Sequence, residues 1–232
     1  MTPTVRVVSL VPSVTETLLA WGVEPVACTR FCEQPQLRHV GGTKDPDIEA
    51  IVKLRPDVVV VDREENRRDD AAMLVARGVN VVDLHVTSLE TAVSETSRLA
   101  GVVGVEWESG IVESQSIRAR AFVPIWRRPW MTFNDATYGA SLLSSIGIEV
   151  SHADAPVTYP ELDPDELGKT EADLVLLPTE PYAFAERHVA ELSDLTGITD
   201  VRIIDGRDLF WWGMRTGPAR ERLMSRLRDI VA

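Results

Sequence analysis

The chain has 232 residues, enough for one large domain or two small lobes, and 44% of them are hydrophobic, enough to build real cores. With 36 acidic against 24 basic side chains and a net charge of -12, it lacks the basic stripe that nucleic-acid phosphates or anionic lipid would require. No apolar run approaches the roughly 20 residues of a bilayer-spanning helix, and the first ten residues show no basic and long apolar signal segment. The expected location as written is therefore the cytoplasm, or outside it if the true start lies upstream.

In chain order, Val5 to Leu10 reads as a buried strand, and Ser13-Val14-Thr15-Glu16 as a capping box opening a helix that ends near Gly22. Val23 to Thr29 reads as a second strand. Cys28 and Cys32 follow it; their spacing is too long for a bridge within one extended strand, so free thiols are expected. Asp45 is expected to cap a helix with Pro46 at its first position, and Pro56 to close it. Asp57 to Val61, with four valines, reads as a parallel strand buried on both faces. Polar residues crowd the segment Asp62 to Asp70 that leaves this strand's carboxyl end, where ligands bind in open parallel sheets. A helix over Ala71 to Arg77, a strand over Val79 to Leu84 and a helix opened by Thr87-x-x-Glu90 complete the first half. Residues 102–121 continue an apolar period with few turn residues and are expected to form a rigid connecting helix of about 25 Å.

The second half repeats the first. Asp163-Pro164-Asp165, a helix-like stretch and Ala172-Asp173-Leu174-Val175-Leu176-Leu177 leading to Glu180 reproduce Asp45-Pro46-Asp47, a helix-like stretch and Pro56-Asp57-Val58-Val59-Val60-Val61 leading to Glu64. Leu142 to Glu149 answers Leu18 to Glu24, and Gly197 to Asp205 answers Gly78 to Asp83. The expected fold is α/β, two Rossmann-like lobes with parallel sheets joined by a single long helix: residues 1–101, the connector 102–121, and residues 122–232. Two lobes imply a cleft, and the cleft is where function is expected.

The chemistry-bearing motifs are few. Gly41-Gly42-Thr43-Lys44 superficially suggests a phosphate loop but lacks the strand and first glycine of one, and no nucleophile elbow, dinucleotide fingerprint or zinc-protease motif occurs. His39, His85, His152 and His188 are scattered, and no metal site is expected. Phe210-Trp211-Trp212-Gly213 beyond the last strand offers a flat apolar surface to a large planar ligand, with one tryptophan expected to face the cleft and the other to pack. A catalytic alternative would set Asp62, Glu64 and Glu180 facing one another as paired carboxylates. An interaction-module alternative would have the cleft filled by side chains.

The motifs Val7-Val8-Ser9-Leu10-Val11-Pro12-Ser13-x-Thr15-Glu16, Gly41-Gly42-Thr43-Lys44-x-Pro46-Asp47-x-Glu49-Ala50-Ile51 and Leu54-x-Pro56-Asp57-Val58-Val59 resemble the helical-backbone substrate-binding proteins of ABC importers, the cobalamin-binding branch most of all. The resemblance implies two α/β lobes holding a corrinoid, or else an iron-siderophore, haem or other metal chelate, for delivery to a permease. Such a chain is no enzyme, carries no intrinsic cofactor, and is expected to be a monomer; a cytoplasmic relative with a reassigned role is the remaining alternative. By position, Phe31 stands where cobalamin binders have a Tyr, Trp211 or Trp212 near their late Trp, and Asp62 where some carry a Trp. The candidate ligand contacts are Phe31, Asp62, Arg63, Glu64, Asn66, Phe133, Tyr182, Trp211, Trp212 and Arg215. Family members dock through an acidic residue on each lobe, for which Glu64, Glu65, Glu180 and Glu186 are the candidates.

Overall fold

The computed structural model of the chain describes residues 5–108, 110 and 114–231. They form two compact units, one drawn from residues 1–86, 90–109 and 212–215, the other from 87–89, 110–211 and 216–232. The first unit runs β1 (Val7–Ser9), α1 (Pro12–Ala20), β2 (Ala27–Cys28), α2 (Ile48–Leu54), β3 (Val58–Asp62), α3 (Arg68–Ala76), β4 (Val81–Leu84) and, but for its first residue, α4 (Leu89–Val103). Its sheet has the order β2-β1-β3-β4 and every pairing is parallel. All five residues of β3 are buried, as a strand covered on both faces must be. Val8, Leu10, Ala27, Val59 and Val61 pack with Ile51 of α2 and Leu74 of α3 into one core.

The second unit runs β5 (Ala119–Phe122), β6 (Trp130–Met131), α5 (Tyr138–Ser145), β7 (Ile148–Val150), β8 (Glu161–Leu162), α6 (Pro164–Leu167), β9 (Leu174–Pro178), a 3-10 turn (Glu186–His188), α7 (Val189–Thr196), β10 (Val201–Ile204), α8 (Gly206–Phe210), α9 (Thr216–Arg226) and α10 (Arg228–Val231). Its main sheet, β10-β9-β5-β7, is also all parallel, while β6 and β8 form a small antiparallel pair. Read from the opposite edge it is β7-β5-β9-β10, the order of the first sheet with β5 for β1, β7 for β2, β9 for β3 and β10 for β4.

The repeat extends to single hydrogen bonds. Arg6 N–H donates to the Asp57 carboxylate at 2.8 Å and Asp57 N–H returns to Arg6 C=O at 2.9 Å; Arg120 N–H donates to Asp173 at 2.8 Å and Asp173 N–H returns to Arg120 C=O at 2.8 Å. At the other end of the same strands, Arg63 N–H reaches Leu84 C=O and Thr179 N–H reaches Ile204 C=O. The valine and leucine strands named from the sequence thus occupy matching places.

Three local expectations give way. The helix expected over 102–121 is not formed among the described residues: α4 stops at Val103, Gly104 takes the left-handed φ of 72° that ends helices, and residues 119–122 pair as β5. Residues 111–113, part of that apolar period, lie outside the described residues. α1 starts at Pro12 with no side-chain cap, and the Glu16 carboxylate binds Arg215 instead of closing a capping box. The first Asp-Pro-Asp caps through Asp47, which accepts Ala50 N–H, because residues 45–47 are tied back to the Gly41 turn: Gly42 N–H donates to Asp45 C=O and Asp47 N–H to Val40 C=O. In the second copy Asp163 caps as expected, with Glu166 completing the box. Gly41 has φ 91°, and a Cβ there would collide with Asp45 C=O, so only glycine fits.

Candidate functional site

In each unit the segments that leave the carboxyl ends of the strands form a rim, the place where open parallel sheets bind ligands. In the first unit the rim is organised by a buried carboxylate. Asp62, at the end of β3 and 1% exposed, accepts N–H groups from Glu64 at 2.9 Å and Val86 at 3.3 Å. Its own N–H donates to the Asn66 amide oxygen at 2.9 Å, and the Asn66 amide nitrogen donates to Leu10 C=O at 3.1 Å and Thr43 C=O at 2.9 Å. Two side chains therefore clamp four loops. Burial pushes the Asp62 carboxyl up to about 7; the two backbone donors pull against this, and the charges of Glu65 and Glu64 add to it.

Beyond β2, Cys32 N–H donates to Thr29 C=O at 3.2 Å, closing a tight turn that leaves Phe31 50% exposed with the Arg30 guanidinium 4.8 Å from its ring centre. Residues 212–215 also belong to this unit. Trp212 is buried, Gly213 lies against Thr17 at φ 98° where a Cβ would clash, and Arg215 donates to Glu16 at 2.8 Å.

The second rim is aromatic. Trp126, beyond β5, is 44% exposed and meets the half-buried ring of Tyr182, beyond β9, edge to face at 5.7 Å. Tyr182 rests on Phe184 at 4.7 Å and on His188 at 5.6 Å, and Phe184 stacks on Trp130 at 6.2 Å. Arg127 lies over Trp130 and is held by both oxygens of Glu191, at 2.6 and 3.1 Å. Beyond β7, Val157 and Tyr159 are exposed on a segment fixed by Asn134 N–H to Thr158 C=O. Trp211 is partly exposed after α8.

Exposed large apolar side chains are not spread evenly. Phe31, Trp126, Val157 and Tyr159 follow carboxyl ends of strands, whereas Met73, Val75, Ile117 and Met214 do not. A large apolar group left in water forfeits about 1.5–3 kcal/mol of burial, so four of them on the rims mark surfaces built to be covered.

Of the residues expected to contact ligand, Phe31, Tyr182 and Trp211 present ring surface, and Arg63 and Glu64 are exposed, Arg63 paired with Asp83 at 2.9 Å and Glu64 3.7 Å from His85. The others are corrected. Asp62 and Asn66 are buried clamps of the rim loops. Phe133 is 1% exposed and meets Phe210 edge to face, so it is core. Trp212 packs, and Arg215 is engaged by Glu16. Of the four carboxylates considered for docking, Glu64, Glu65 and Glu186 are exposed, while Glu180 is half-buried against Gly206. Sequence reading missed Trp126. Among the described residues no three His, Cys, Asp or Glu side chains are grouped to hold a metal ion.

The fold is one of two α/β units with parallel sheets, and comparison with known proteins bears out the resemblance carried by the N-terminal motifs. Residues 7–110 match the family described as Periplasmic binding protein. A Vitamin B12-binding protein of Pectobacterium carotovorum is 23% identical over 202 residues, 78% of this chain and 73% of that protein. One from Salmonella paratyphi A is 23% identical over 181 residues, 70% of this chain and 68% of that one. Among solved structures, the periplasmic vitamin B12 binding protein BtuF of Vibrio cholerae superposes with a TM-score of 0.78 at 19% identity, covering 98% of both chains. The periplasmic heme-binding protein BhuT, in complex with two hemes, gives 0.79 at 19% identity, covering 98% of this chain and 99% of that one.

Proposed function

We propose that this chain is a binding protein for a large planar ligand, a corrinoid of the cobalamin type, which it delivers to the permease of an ABC importer. The observation that carries this reading is the gathering of exposed aromatic and apolar side chains on the carboxyl-end rims, with Trp126 and Tyr182 forming an edge-to-face pair. Such surfaces gain most from a broad flat ligand, through dispersion and stacking rather than through charge. The vitamin B12-binding relatives support the corrinoid. Haem is the second reading, favoured by the equal likeness to BhuT.

The chain acts by binding and handing over, not by turnover, and the exposed carboxylates Glu64 and Glu65 on one rim and Glu186 on the other are the groups proposed to meet the permease. Rim charges of this kind steer docking more than they hold ligand. Titration of the purified protein with cyanocobalamin and, separately, with haemin, followed by absorbance and calorimetry, tests the reading. Saturable one-to-one binding of the corrinoid is expected; binding of haemin alone would transfer the assignment to the second reading, and binding of neither would end both.

A further inference from the structure

The sequence separates Cys28 and Cys32 by four positions, and in an extended strand they would lie on one face about 13 Å apart. The fold brings them together. Cys28 ends β2, the turn closed by Cys32 N–H on Thr29 C=O doubles the chain back, and both side chains join one buried cluster. Both are buried, at 0% and 3% exposure, in a small cluster with Leu37.

The surroundings of the Cys32 sulfur are not those of an inert core thiol. The Thr15 hydroxyl lies 3.2 Å from it, with Ser9 Oγ and Val11 C=O as its other acceptors, and the Thr29 hydroxyl lies 3.2 Å away. The Thr29 oxygen accepts the Phe31 N–H at 3.3 Å. Hydroxyls beside a buried sulfur stabilise its anion over its acid. The Cys28 thiol is the largest influence and the two hydroxyls follow; together they outweigh burial and hold the Cys32 thiol below its usual range, while Cys28 is pushed up. One member of the pair is prepared to attack and the other retains its proton.

We propose that Cys28 and Cys32 are a reversible oxidation site, a dithiol that a small peroxide converts into an intrachain disulfide, with Cys32 the attacking thiolate and Cys28 the resolving thiol. The Cys32 thiolate displaces hydroxide from hydrogen peroxide to give a sulfenic acid, and the hydroxide takes up a proton as water. The Cys28 sulfur then attacks the sulfenic sulfur; the S–O bond breaks, the Cys28 proton leaves with the oxygen as a second water, and the S–S bond forms. Two thiols lose two electrons and one peroxide gains them. Because Thr29 links the Cys32 sulfur to the Phe31 N–H, forming the bond alters the turn that presents Phe31 on the rim.

The test uses the intact wild-type protein treated with hydrogen peroxide, with thiols counted after denaturation and the mass of the monomer measured. The expected result is a fall from two free thiols to none, a mass loss of two hydrogens in the monomer, and full reversal by dithiothreitol. In Cys28→Ala the reaction should stop at a one-oxygen adduct on Cys32 that dimedone captures. Persistence of both thiols while methionines oxidise, linkage between chains, or overoxidation of Cys32 with Cys28 still free would each overturn the proposal.

Discussion

The amino ends of the two sheets are near copies, and their carboxyl ends are not. Arg6 with Asp57 and Arg120 with Asp173 make the same pair of hydrogen bonds at the same place between the first and third strands. At the opposite end β3 finishes in Asp62, buried and bound to Asn66, where β9 finishes in Pro178 and leads to Tyr182, Phe184 and the ring of Trp126. One rim is stiffened by a polar clamp, the other by stacked rings. A scaffold used twice demands the same backbone pairing in both copies, whereas its rims answer only to what they hold.

The largest break in that comparison should come from the clamp. Asn66→Ala removes three hydrogen bonds, two of them buried, and leaves Asp62 N–H, Leu10 C=O and Thr43 C=O without that partner; it should cost roughly 3 kcal/mol in urea unfolding. Tyr182→Ala removes a half-buried ring and strands no backbone group, and should cost less. An equal or smaller loss in Asn66→Ala would mean that the polar clamp does not hold the first rim.

The pH dependence sharpens the same contrast. Asp62 has its folded pKa raised to about 7 by burial, above the ordinary carboxylate value near 4. Between those values the folded state binds more protons than the unfolded one, so stability falls as pH rises from about 4 to about 7. Chemical denaturation across that range should show the decline in the wild type and a flatter profile in Asp62→Asn. Parallel profiles would remove Asp62 as its source.

The smallest effect probes the shared end. Asp57→Ala and Asp173→Ala each delete one carboxylate-to-backbone hydrogen bond, and each should cost about 1 kcal/mol. Costs that differ widely would break the equivalence of the two copies.

The scaffold was legible in the sequence because its signals are local and occur twice: two Asp-Pro-Asp helix starts and two runs of buried aliphatics. The rims were less so. Asp62 and Asn66 read as ligand contacts on the rim, since a loop that folds its carboxylate inward looks no different in sequence from one that does not. The span 102–121 carried a helix-like apolar period, yet Gly104 at positive φ and the pairing of β5 with β7 and β9 decided otherwise. Phe133 and Trp126 are both aromatics beyond β5, and only their packing separates the buried ring from the exposed one.

The most direct test of the account compares apolar residues by position. Phe31→Ala, Trp126→Ala and, as a control from outside the rims, Ile117→Ala remove exposed side chains of similar accessibility, and calorimetry with cyanocobalamin reads the affinity of each. The rim variants should each lose on the order of 1–3 kcal/mol of binding while Ile117→Ala matches the wild type. Equal affinity in all four proteins, with binding intact, would contradict the assignment of the carboxyl-end rims as the ligand surface.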